Sequence, residues 1–90
     1  MYKHGLIRTK EYNLWHSIKQ RCFYIKGKYY EYWGGRGITM YDSWINDPKL
    51  FIDYIKSLPN YDLGLTLDRI DNDKDYEPDN LRWVSNKVQS

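Results

Sequence analysis

The chain has 90 residues, with 14 Lys+Arg against 12 Asp+Glu for a net charge of +2, and 18% of its residues are aromatic. That length gives one domain with one modest core, since so short a chain buries only about 60–65% of its unfolded surface, and the composition is too aromatic for a disordered tail and too polar for a membrane protein. No run approaches the ~18 apolar residues of a membrane span and the first five residues lack the apolar stretch of a secretion signal, so no membrane partner and a cytoplasmic location are expected. The first element runs from Thr9 to Ile25. Thr9 is its N-cap, Glu11 lies in the first turn where the helix dipole favours an anion, and Gly27 follows the end. Tyr12, Trp15, Ile18, Cys22 and Ile25, with Leu14, recur at spacings of three and four and form its apolar stripe. Cys22 is the single cysteine, which excludes an internal disulfide and any multi-thiolate zinc site.

A loop from Lys26 to Tyr32 leads into Trp33-Gly34-Gly35-Arg36-Gly37, where three glycines in four positions free the backbone for positive φ or close approach. Ile38 to Tyr41 is short and β-prone, with Trp44 as its anchor to the core. Asp47-Pro48 starts a second helix, Asp capping and Pro at the first helical position. Leu50, Phe51, Tyr54, Ile55 and Leu58 follow at helical spacing, and Pro59 stops the helix. Leu65 to Ile70 alternates like a strand, Asp71 to Asp79 is an acidic loop, and Leu81 to Val84 reads as a second strand with Ser85 capping a short final helix. The fold class is therefore α+β. One domain spans 1–90, with a basic helical and turn part (1–60) and a β-loop-β-α part (61–90).

The small net charge hides a division. Residues 1–40 hold eight bases and two acids, for +6, while residues 41–90 hold six bases and ten acids, for −4. Such asymmetry points to an anionic partner for the first half. Lys19, Arg21, Lys26, Lys28 and Arg36 are its candidate phosphate contacts, and Tyr29, Tyr30 and Tyr32 offer stacking faces for unpaired bases. Arg36 between glycines either meets a phosphate or is tied to a nearby Asp; the tyrosines either stack on bases or line the core and its rim.

Six of the twelve residues from Asp68 to Asp79 are acids. Asp71, Asp73 and Asp75 alternate as in a calcium-binding loop, but Tyr76 stands where such a loop needs Gly and Arg82 where it needs Glu, so that site is rejected. The run through Asp68-Arg69 and Asn80-Leu81-Arg82-Trp83-Val84-Ser85 instead resembles the HNH, or ββα-metal, nuclease family. The resemblance extends to short phage and prophage proteins labelled HNH-endonuclease-like, through Glu11-Tyr12 with Trp15, Lys19-Gln20-Arg21-Cys22, Tyr29 to Ile38, Trp44, and Leu67 to Trp83. It covers about 80 of the 90 residues.

The resemblance implies two helices packed on a small C-terminal ββα unit. It also implies Asp68 as a metal ligand, Asn80 as the central loop-bridging Asn and Gln89 at the last ligand position. Related proteins often have Cys at the positions of Tyr41 and Leu81, so no zinc is expected here. The general base is missing: Arg69 stands where the family has His, and a guanidinium stays protonated at neutral pH. Asp68 with Gln89 is at most a residual Mg²⁺ pair, and His4 and His16 are remote surface histidines in the sequence.

Three functions follow as expectations. The first is a phage- or mobile-element-type nucleic-acid-binding protein on a degenerate HNH-like fold, with Arg69 and Arg82 added to the basic contacts. The second is an inhibitor of a host defence nuclease whose acidic loop, through Asp71, Asp73, Asp75, Glu77 and Asp79, occupies a channel meant for DNA. The third is a metal-dependent nickase with a base from elsewhere. Partners are thus nucleic acid or a nucleic-acid-processing host protein, in a host cytoplasm if the chain is phage-encoded.

Overall fold

Thr9 opens the first helix, α1 (Lys10–Phe23), by accepting the Tyr12 N–H on its Oγ1 at 3.1 Å. The cap satisfies one of the four amide groups that a helix start leaves unpaired. In this computed structural model, which describes residues 9–85, α1 ends two residues before the expected boundary. The chain turns out at Tyr24, whose backbone is extended, and the Gly27 N–H closes on the Tyr24 carbonyl at 2.8 Å. Ile25 therefore leaves the stripe and stands 74% exposed, while Trp15, Ile18 and Cys22 are buried.

The glycine segment packs directly beneath the end of α1. Two single-turn 3₁₀ helices, Tyr30–Tyr32 and Gly34–Arg36, follow one another there. A Cβ on Gly34 would lie 2.2 Å from the Cys22 carbonyl oxygen and 2.3 Å from the Tyr30 ring, so only glycine fits. Gly37 at φ +93° then turns the chain back toward the core, where Ile38 and Met40 are buried.

A short helix that sequence spacing did not suggest, α2 (Asp42–Ile45), carries Trp44 inward. Its carbonyl accepts the Trp15 indole N–H at 2.7 Å, and its ring meets Phe51 and Tyr54 at centroid separations of 5.2 and 5.3 Å. Helix α3 (Pro48–Ser57) begins as expected, with Asp47 Oδ1 accepting the Leu50 N–H at 3.3 Å. Phe51, Ile52 and Ile55 are buried, whereas Leu50 faces out. Helix α3 packs against both α1 and α2.

Strands β1 (Thr66–Arg69) and β2 (Leu81–Val84) pair antiparallel, with Leu67 opposite Trp83, Asp68 opposite Arg82 and Arg69 opposite Leu81. Alternation sends Leu67, Arg69, Leu81 and Trp83 to one face and Asp68 and Arg82 to the other. The Trp83 indole N–H reaches the Ile55 carbonyl at 2.9 Å, which fixes the hairpin on α3. The intervening loop returns to the first half: Tyr76 exchanges backbone hydrogen bonds with Thr39 and Tyr41, forming a parallel bridge beside Met40. The β-prone reading of Ile38 to Tyr41 thus survives only as this bridge.

The result is a single-domain α+β fold with a two-stranded sheet. Among the described residues no helix is long and apolar enough to cross a membrane. The expected helix after Ser85, with Gln89, lies outside the described residues, as does His4.

Candidate functional site

On the outer face of the hairpin, Asp68 Oδ2 accepts both Nε and Nη2 of Arg82, at 3.2 and 3.1 Å. No group of three His, Cys, Asp or Glu side chains suited to a metal gathers among the described residues. Of the expected Mg²⁺ pair, Asp68 is thus held by a positive charge, and Gln89 lies outside the described residues.

Arg69 was expected among the nucleic-acid contacts and is placed otherwise. It is 7% exposed, with Nη1 donating to the carbonyls of Asn72 and Lys74 at 2.7 and 2.8 Å and Nη2 donating to Asn72 Oδ1 at 2.9 Å. Its guanidinium also lies 5.1 Å from the centroid of the Tyr76 ring. The loop thus turns its oxygens inward around Arg69, as a calcium loop turns them around a metal. A phosphate cannot reach a group enclosed in this way. The cause is register: position 69 shares the inward face with Leu67.

Asn80 completes the loop from the other strand. Its Oδ1 accepts the Asp71 N–H at 2.7 Å, and its Nδ2 donates to the carbonyls of Asp71 and Asp75 at 3.2 and 2.8 Å. Three of the loop acids, Asp71, Asp73 and Asp75, engage their carboxylates within the chain, and Glu77 and Asp79 take part through their backbone. Asp71 Oδ1 accepts the Asp73 N–H at 2.9 Å, and Asp75 Oδ1 accepts the Thr39 N–H at 2.9 Å. Asp73 Oδ1 meets Arg36 Nη2 at 3.0 Å. Glu77 offers its carbonyl to the Asn80 N–H at 3.1 Å, and the Asp79 N–H donates to the Tyr54 hydroxyl at 2.8 Å. Arg36 also donates to the carbonyls of Tyr32 and Asn72, both at 3.2 Å. Of its two sequence readings, the tie to a nearby Asp is the one realised.

The remaining bases lie elsewhere. A groove of about 520 Å³ opens along α1 and the following loop, lined by Arg21, Lys26, Lys28, Tyr24 and Tyr29 together with His16 and Gln20. Its lining contains three cationic side chains and no carboxylate. Arg21 is held in place, its guanidinium 5.0 Å from the Trp33 ring centroid and 3.4 Å from the Tyr76 hydroxyl. Lys28 lies over the Tyr29 ring at 5.5 Å. A second, shallower groove of about 450 Å³ shares His16, Gln20 and Tyr24 and adds Lys19, Trp15 and Phe23. Lys19 sits over the Trp15 ring there, 4.7 Å from its centroid. Among the described residues, Lys19, Arg21, Lys26 and Lys28 make no ion pair.

Four of the expected basic contacts thus converge along α1 and the loop after it, while Arg36, Arg69 and Arg82 are engaged by residues of the hairpin and its loop. Of the expected stacking residues, only Tyr29 lines the main groove; Tyr30 packs over Gly34. Tyr24 was not anticipated, although its position off the apolar stripe and between Phe23 and Ile25 in a basic stretch was the available signal. Cys22 lies beneath, and burial pushes its thiol up to about 11, so it is not a nucleophile at neutral pH. In comparisons with protein families, curated proteins and solved structures, the chain matches none.

Proposed function

We propose that this protein binds nucleic acid without cleaving it, holding phosphates in the groove along α1 through Arg21, Lys26 and Lys28, with Lys19 on its flank. One observation carries the reading: the groove gathers three cations, none ion-paired among the described residues, and no carboxylate. Unpaired positive charge on a concave surface attracts a polyanion and raises its local concentration.

The hairpin is read as a degenerate HNH-like unit. Support comes from Asn80, which bridges the loop in the manner the resemblance implies, and from Asp68 at the outer edge. Cleavage is disfavoured because Arg69 supplies no base and Arg82 holds Asp68 against a metal. The nuclease-inhibitor reading is less favoured, since Asp73 and Asp75, two of the five acids it uses, already hold partners within the chain.

The test is a salt titration of binding to a labelled mixed-sequence oligonucleotide. With three to four phosphates neutralised, affinity falls about 20- to 50-fold between about 50 and about 200 mM salt. A flat response, or no binding at the lower salt, overturns the reading.

A further inference from the structure

The groove along α1 carries a feature that phosphate binding alone does not need. Tyr24 and Tyr29 both line it, yet they are 51% and 50% exposed. Exposure of two large rings in one small groove forgoes the burial that Trp44, Phe51 and Trp15 gain in the core; Phe23, Tyr32 and Tyr41 are exposed too, but only Tyr24 and Tyr29 stand among the groove's cations. The rings are positioned as well as exposed. Tyr29 is braced by Trp33 at a centroid separation of 6.2 Å and an interplanar angle of 87°, with the Lys28 ammonium 5.5 Å from its ring centroid. Tyr24 stands where the chain leaves α1, against the Gly27 turn. In sequence the lining reads Tyr24, Lys26, Lys28, Tyr29, so two cations stand between two aromatic rings over six residues.

We propose that the groove takes a single strand of nucleic acid, with unpaired bases stacked on Tyr24 and Tyr29 and backbone phosphates against Arg21, Lys26 and Lys28. This rests on the nucleic-acid reading above and specifies its ligand. A strand presents a base face and a phosphate at each nucleotide, the two chemistries that the lining's tyrosines and cations match; stacking is tolerant of sequence because every base has a π face. A duplex offers neither free base faces nor a shape to match. It is read by convex elements that enter its grooves, whereas this site is a concavity of about 520 Å³, in the size range that holds small organic groups such as splayed bases. The shallower groove past Tyr24 extends the same chemistry, with Phe23 and Trp15 as apolar surface and Lys19 as the cation. A strand leaving the main groove over Tyr24 continues onto it.

RNA and DNA share this chemistry, so both serve as probes. Fluorescence anisotropy with labelled single strands of about 12 nucleotides, in DNA and RNA form, is compared with a duplex of the same length and sequence. The single strands are expected to bind at least about 10-fold tighter than the duplex, and the tighter of the two identifies the natural form. Tyr24→Ala and Tyr29→Ala each weaken single-strand binding by between about 5- and 150-fold, whereas Tyr29→Phe retains it because the π face is kept. Circular dichroism confirms that each variant is folded. Duplex binding equal to or tighter than single-strand binding overturns the single-strand proposal and leaves the phosphate-groove reading standing. Retained single-strand affinity in both alanine variants does the same. Absence of binding to every probe overturns both.

Discussion

The hairpin loop and the groove along α1 both concentrate charge, and they dispose of it in opposite ways. Around the loop, Arg69 is wrapped by carbonyl oxygens, Arg82 holds Asp68, and Arg36 crosses from the first half of the chain to Asp73. Each arginine there has its partner inside the molecule. In the groove, Arg21, Lys26 and Lys28 face a concavity without a carboxylate. The lesson is that a count of basic residues locates a binding surface only after the internally satisfied ones are subtracted. Here the subtraction removes Arg36, Arg69 and Arg82 and leaves the lysine-rich end of α1.

That contrast can be broken most forcefully at Arg69. Replacing it by Met removes the buried guanidinium around which the Asn72 and Lys74 carbonyls and the Asn72 side chain are gathered. Urea denaturation is expected to register a loss of about 3 kcal/mol or more. A loss below about 1 kcal/mol would mean that the loop does not depend on its internal cation.

Next in size is Gly34→Ala, where the added methyl meets the Cys22 carbonyl and the Tyr30 ring. Overpacking of this kind costs about 1–3 kcal/mol, read as a lowered urea midpoint. Because Gly34 lies under the end of α1, the same variant should also weaken nucleic-acid binding, which separates it from Arg69→Met if the groove survives loss of the loop.

The pH dependence follows from the contact between the two parts of the chain at Glu11 and Tyr61. Burial works to raise the Glu11 carboxyl, but the Tyr61 hydroxyl, donating at 2.5 Å, and the nearby Lys56 and Lys10 bring it below its ordinary value. Its contribution is therefore present above the ordinary carboxylate range and lost as pH falls through the lowered value. The same hydrogen bond pushes the Tyr61 phenol up from 10.0 to about 12, so its contribution is complete below pH 10 and lost as pH rises toward 12. Denaturation measured across pH should decline at both ends, and Tyr61→Phe should flatten both declines.

The smallest effect belongs to the outer face of the hairpin. Asp68 and Arg82 are partly exposed, so Asp68→Asn is expected to cost less than about 1 kcal/mol in the same urea assay. A cost comparable to that of Arg69→Met would place the hairpin's support on the wrong face.

Local signals made much of this fold legible. Thr9 and Asp47-Pro48 mark helix starts because capping is decided by neighbours three residues away. The two strands follow from alternation. Helix α2 is too short to carry a period, and Ile25 and Leu50 match a helical stripe that the chain or its packing does not extend to them. Arg69 was half legible: alternation with Leu67 turns it inward, but nothing local tells that loop carbonyls will receive it. Arg36 was less so, since its partner Asp73 is 37 residues away. The groove was legible in composition and not in membership, because only the turn at Tyr24 sets that ring beside Lys26 and Lys28.

The central claim, that charge is unspent in the groove and spent in the hairpin, is tested most directly by one comparison of salt slopes. Binding of a labelled single strand is measured against salt for the wild-type chain, for Lys26→Ala/Lys28→Ala, and for Arg82→Ala. The lysine pair is expected to leave stability within about 0.5 kcal/mol of wild type while flattening the slope of log affinity against log salt by about 1.4, and Arg82→Ala to leave the slope unchanged. An unchanged slope in the lysine variant, or an equal flattening in Arg82→Ala, contradicts the account.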